Sequence, residues 1–141
     1  MSTPTPATAT TPATATAARP PRRGSRVTLR LLQAAVAVHL LAVLVQPVLA
    51  GLYLGGDVDA VALHALVGSG LAVVTLVLVP VALGHALAVR GRWWLPVAAV
   101  ALFLADGFQI GFGYERALEL HVPLGVAIVL ASVAFAVAVR R

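Results

Sequence analysis

No cysteine occurs anywhere in this chain of 141 residues, which excludes disulfides, iron–sulfur clusters and thiolate metal sites together. Any redox chemistry must therefore use a cofactor held through histidine. Charge is almost as scarce. Charged residues make up 11% of the chain, against roughly 25% in an ordinary soluble domain. Rossmann-type, P-loop, HExxH and nucleophile-elbow signatures are all missing, so nothing points to a nucleotide, a zinc protease centre or a serine hydrolase.

What remains is apolar surface. Hydrophobic residues make up 60% of the sequence and the mean hydropathy is +0.98, which places the protein in a membrane. The net charge of +5 does not indicate nucleic acid, because the arginines stand at segment ends and in the tail rather than in a stripe. Residues 1–26 alternate Thr, Ala and Pro before ending in arginines, a composition that cannot bury enough surface to fold and predicts a disordered tail. The first apolar run is too long for a signal peptide and is followed by no cleavage site, so a permanent span is expected.

Four apolar runs follow, at about 27–54, 59–89, 93–114 and 117–139, each near the roughly 20 residues that cross a bilayer. The turns between them are short, so neighbouring spans must be antiparallel. The expected fold is all-α, an up-down four-helix membrane bundle made of two repeated hairpins, with residues 27–141 as one transmembrane domain. Arg22, Arg23, Arg26 and Arg30 flank span one, Arg90 and Arg92 follow span two, and Arg140 and Arg141 follow span four. Only Arg116 falls on the other side. The positive-inside rule then puts both termini in the cytoplasm of a multi-pass plasma-membrane protein. Trp93 and Trp94 suit the inner aromatic belt, Tyr53 and Tyr114 the outer one.

One motif occurs twice. Gln46 leads through Ala50-Gly51 to His64 and Gly68, and Gln109 leads through Gly113 to Leu120-His121 and Gly125. At 1.5 Å per residue, all four polar residues lie roughly 6–12 Å below the outer surface, with one histidine from each hairpin. A cofactor clamped between two hairpins needs that arrangement. Each glycine is one turn deeper on its histidine's face, leaving room for a flat macrocycle or for close helix packing. Deeper still are His39, two turns below Gln46, and Asp106, the one carboxylate well inside a span. A buried carboxylate must be paired, hydrogen-bonded or protonated, and His39 is a candidate partner tying span one to span three. His85 falls near the cytoplasmic interface and reads as an interfacial residue.

At these residues the chain resembles a family of small four-helix actinobacterial membrane proteins of unknown function. That pattern is a glutamine followed by Ala-Gly, then His-x-x-x-Gly, a second glutamine and Leu-His-x-x-x-Gly. It maps onto Gln46, Ala50-Gly51, His64 with Gly68, Gln109, and Leu120-His121 with Gly125, covering about residues 31–141. More loosely, paired hairpins with one histidine each are similar to transmembrane b-type cytochromes and haem A synthase, whose histidines ligate haem iron.

The resemblance implies one b-type haem between His64 and His121, with Gln46, Gln109, Gly68 and Gly125 around it. The role implied is electron transfer or redox sensing, beside a membrane redox partner or a second copy. The alternatives are a cofactor-free accessory protein whose Gln and His residues are interhelical hydrogen-bond glue, and a proton-coupled carrier using Asp106 and His39. No reading requires an enzyme or a nucleic acid.

Overall fold

The structure is a computed structural model and describes residues 23–140. Four helices fill it: α1 (Arg23–Leu54), α2 (Ala60–Val89), α3 (Trp94–Tyr114) and α4 (Leu118–Arg140). Each is long and apolar enough to cross a bilayer. Their outward faces carry exposed leucines and valines, such as Leu41, Val48, Leu66, Val97 and Leu130, a surface matched to lipid. α1 packs on α2 and α4, and α3 packs on the same two helices. The diagonal partners are therefore α1 with α3 and α2 with α4, as in an up-down bundle.

α1 begins four residues before the apolar run does, because a helix need not stop where the hydrocarbon stops. Residues 23–26, expected in the tail, are thus helical; the rest of the expected disordered tail lies outside the described residues. The other boundaries fall within one residue of the apolar runs.

Each helix buries one stripe in steps of four, three and four residues, the spacing that keeps a seam facing a bundle axis. Counted back fourteen, ten, seven and three residues from the motif glutamines, α1 buries Leu32, Val36, His39 and Val43, and α3 buries Leu95, Ala99, Leu102 and Asp106. Counted forward seven, eleven, fourteen and eighteen from the motif histidines, α2 buries Leu71, Thr75, Leu78 and Ala82, and α4 buries Ile128, Ser132, Phe135 and Val139. The two hairpins repeat position for position about the bundle axis. The first hairpin is the longer, with helices of 32 and 30 residues against 21 and 23.

All three turns close the same way. Gly56, Arg90 and Arg116 adopt positive φ just past a helix end, at 104°, 53° and 57°. The next amide then reaches back to the last turn: Asp57 to Leu52, Gly91 to Ala86 and Ala117 to Phe112, at 3.0–3.1 Å. These are Schellman closures, which satisfy carbonyls that would otherwise be left bare. We call the end holding the α2–α3 turn and most arginines the arginine end, and the end holding the other two turns the distal end.

His85 lies at the arginine end, where an interfacial residue is expected, and is buried against α1, with Thr28 Oγ1 3.1 Å from its Nδ1. Arg92 donates to the Ala138 carbonyl at 2.6 Å and lies over the Trp94 ring.

Candidate functional site

The motif glutamines and histidines lie at the distal end, where the fully buried stripes give way to half-buried positions. The reason for the spacing becomes plain in the first hairpin. His64 Nδ1 lies 3.2 Å from the backbone carbonyl of Gln46, and Gln46 Nε2 donates to the backbone carbonyl of His64 at 3.1 Å. Each side chain reaches the other residue's main chain. To do so it must pass the residue four positions on, which sits one turn along on the same face.

That is where the glycine is needed. A Cβ on Gly68, four residues after His64, would lie 3.3 Å from Gln46 Nε2. In the second hairpin a Cβ on Gly125 would lie 2.8 Å from Gln109 Nε2, and one on Gly113 would lie 3.0 Å from the His121 ring. The space beside Gly68 and Gly125 is therefore taken by glutamine amides rather than left open. His121 Nδ1 reaches the Gln109 carbonyl at 2.9 Å past Gly113; the matching bond past Ala50 in the first hairpin is 3.2 Å.

These bonds fix the tautomers. A backbone carbonyl only accepts, so Nδ1 of both His64 and His121 must carry the proton and donate. The Nε2 of each neutral ring then holds a lone pair. The two rings come from the diagonal helices α2 and α4 and stand with centroids 6.0 Å apart, tilted by 52°. Beside them, Gln46 Oε1 and Gln109 Oε1 are buried without a hydrogen-bond partner. A buried acceptor left bare calls for an explanation, since most such atoms are satisfied. The free polar atoms of the site are thus two imidazole lone pairs and two amide oxygens, which accept, together with the Gln109 amide nitrogen, which donates.

Toward the middle of the bundle lies a second polar group. His39 Nε2 is 3.1 Å from Asp106 Oδ2, across the diagonal from α1 to α3. Thr75 Oγ1 of α2 donates to the same carboxylate oxygen at 3.0 Å, and Ser132 Oγ of α4 is 3.3 Å from His39 Nδ1. All four side chains are almost fully buried, and together they link all four helices. Thr75 and Ser132 escape a reading of the sequence that looks for charge. Their signal is positional: each is a hydroxyl residue eleven positions after its motif histidine.

Ser132, His39 and Asp106 have the composition of a hydrolase triad but not its geometry. The serine is sealed in the core with 1% of its surface exposed, and its hydroxyl is 2.7 Å from the Ile128 carbonyl. A nucleophile needs an open face and an oxyanion site, and this one has neither in the buried stripe. Among the described residues no three His, Asp or Glu side chains are grouped as a metal site. A haem needs no such group, because its macrocycle supplies four of the iron ligands.

No family model, no curated protein and no solved structure matches the chain.

Proposed function

We propose that the protein holds one b-type haem at the distal end of the bundle, with His64 Nε2 and His121 Nε2 as axial ligands. The observation that carries this reading is the pair of fixed tautomers facing across the axis. Both rings offer a lone pair, neither can donate to the other, and only something placed between them satisfies both. The two rings, with centroids 6.0 Å apart, would hold the group through their Nε2 atoms. Histidines that bind metal usually donate their other ring nitrogen to a carbonyl, as these two do. Those carbonyls belong to Gln46 and Gln109 themselves, whose free side-chain amide oxygens remain to accept from a ligand or a water molecule.

Bound there, haem exchanges single electrons. The role this supports is electron transfer or redox sensing in the plasma membrane, with both termini cytoplasmic and the haem near the outer face. The resemblance to small four-helix actinobacterial membrane proteins and to b-type cytochromes agrees with it. One haem at one face does not span a bilayer, so a larger respiratory partner or a second copy would complete any transmembrane path.

A second reading rests on the reciprocal Gln46–His64 bonds, which tie α1 to α2 with no ligand at all. On that reading the protein is a cofactor-free accessory subunit. The absorption spectrum of detergent-purified protein made with haem available separates the two. A Soret band that disappears in His64→Ala and His121→Ala, and persists in His85→Ala, supports haem. Colourless protein from haem-replete cells leaves the accessory reading.

A further inference from the structure

With the tetrad of His39, Asp106, Thr75 and Ser132 closed on itself, the largest set of charged groups left open stands at the arginine end. Arg23, Arg26, Arg30, Arg90, Arg92 and Arg140 gather there. No aspartate or glutamate joins them. Asp106 lies in the core, and Asp57, Asp59, Glu115 and Glu119 all stand at or beside the distal turns. Arg92 is engaged by the Ala138 carbonyl and the Trp94 ring. Among the described residues, no ion pair engages Arg23, Arg26 or Arg30.

These three arginines form a stripe on α1. Spacings of three and four residues put them on one face of the helix. That face points away from the bundle. Arg23 and Arg30 each stand two residues before a buried seam position, Ser25 and Leu32, which is roughly 200° round the helix. All three arginines are exposed. Deeper on the same side of α1, Leu31, Val38 and Leu41 are exposed as well. Guanidinium groups and apolar side chains thus follow one another down a surface that no other helix covers.

The neighbouring helices fix the depth of the stripe. Gln33 Nε2 reaches the Val139 carbonyl at 3.4 Å, so α1 from Arg30 back to Arg23 continues past the end of α4. Thr28 Oγ1 beside His85 Nδ1 places Arg23 roughly level with Arg90, since each stands five residues further out. From Arg30 to Arg23 the helix rises roughly 10 Å, enough to cross the headgroup layer, which is roughly 5–8 Å thick on each side of the hydrocarbon. A charge that only sets topology needs no shared face, and lysine serves it equally. Here the ten basic residues are all arginine. The guanidinium pairs with a phosphate through two parallel N–H bonds, which an ammonium cannot do.

We propose that this outward face of α1 is a binding site for an anionic phospholipid in the leaflet at the arginine end. Its headgroup phosphate is held among Arg23, Arg26 and Arg30, and its acyl chain lies along Leu31, Val38 and Leu41. Charge complementarity selects a headgroup of net negative charge over a zwitterionic one, whose own cation the arginines repel. Apolar contact selects a lipid over a soluble phosphate. The site needs nothing at the distal end and does not depend on haem.

The test is lipid binding to the full chain in a neutral detergent. The chain is titrated with phosphatidylglycerol or with phosphatidylcholine of the same acyl chains, and bound lipids are counted by native mass spectrometry. One arginine near an anionic headgroup is worth roughly a fivefold change in affinity, so three are worth on the order of 100-fold. The wild-type chain should prefer phosphatidylglycerol by that order, and added salt should erode the preference. The variant R23Q/R26Q/R30Q should abolish it. The variant R90Q/R116Q/R140Q removes the same charge away from the stripe and should lose far less. Glycerol phosphate, which has the headgroup chemistry without acyl chains, should not displace the lipid. Equal binding of the two lipids by the wild type, equal losses in the two triple variants, or displacement by glycerol phosphate overturns the site. Colourless protein that still selects phosphatidylglycerol overturns the haem reading and supports this one.

Discussion

Removing Asp106 alone should cost far more stability than removing it together with His39. In Asp106→Val, His39 Nε2–H loses its acceptor and Thr75 Oγ1 loses one of its own, both in a core without water. Leaving a buried polar group without its partner costs about 1–3 kcal/mol, which lowers the folding equilibrium constant by a factor of roughly 5 to 150. The partner variant His39→Leu leaves the carboxylate with Thr75 alone and should cost a similar amount. The double variant reproduces the Leu102 and Val43 pattern, in which apolar side chains of like volume fill the same stripe. Replacing a whole buried pair in that way is neutral or stabilising by about 1–4 kcal/mol. The expected sign of the cycle is therefore unambiguous: each single variant is worse than the double. Reversible unfolding in mixed micelles, followed by far-UV circular dichroism, measures all four proteins. A double variant as unstable as the two single losses added together would refute the claim that the pair is a self-contained unit. A single loss no larger than the roughly 0.6 kcal/mol typical of membrane side-chain hydrogen bonds would refute the penalty for the partner left unpaired.

Topology is checked by Gly56→Cys and Arg90→Cys, which should label from opposite sides of the membrane, with Arg90→Cys accessible from the cytoplasm. Gly113→Ala should perturb the haem spectrum, because its Cβ would meet the His121 ring at 3.0 Å; Gly111→Ala, in open space, should leave the spectrum unchanged. Gly125→Ala should displace the Gln109 amide, now 2.8 Å from the Cβ position, more than Gly68→Ala displaces Gln46 at 3.3 Å. The larger loss of haem retention in gel filtration is therefore expected from Gly125→Ala.

The spans were legible because hydropathy and helix length are local properties, and boundaries such as Leu54 and Tyr114 fall where the apolar runs end. α1 alone begins early, since arginines outside the hydrocarbon do not break a helix. The motif residues could be found from the repeat, but their hydrogen bonds could not. That Gly68 makes way for the Gln46 amide is a relation between two helices, and periodicity along one helix carries no information about what stands opposite it. The His39–Asp106 pairing was legible as chemistry, because a buried carboxylate needs a partner. Thr75 and Ser132 were not, because a lone hydroxyl in a membrane helix can bond its own backbone, as both do.

A two-fold arrangement has a consequence for what each site can do. Residues at equivalent positions on diagonal helices are brought face to face with their own kind. His64 therefore meets His121, ring beside ring, and the adjoining bare oxygens belong to Gln46 and Gln109. With both Nδ1 protons donated to carbonyls, neither imidazole can satisfy the other's Nε2. The tetrad obeys the opposite rule. His39 and Asp106 occupy different positions of the repeat, each opposite a helix whose matching residue is apolar, and this breach of the symmetry turns like against like into acid against base. It closes on itself, with Thr75 and Ser132 at its two ends. Bare buried acceptors therefore gather at the symmetric pair, whereas the asymmetric one satisfies its own polar atoms.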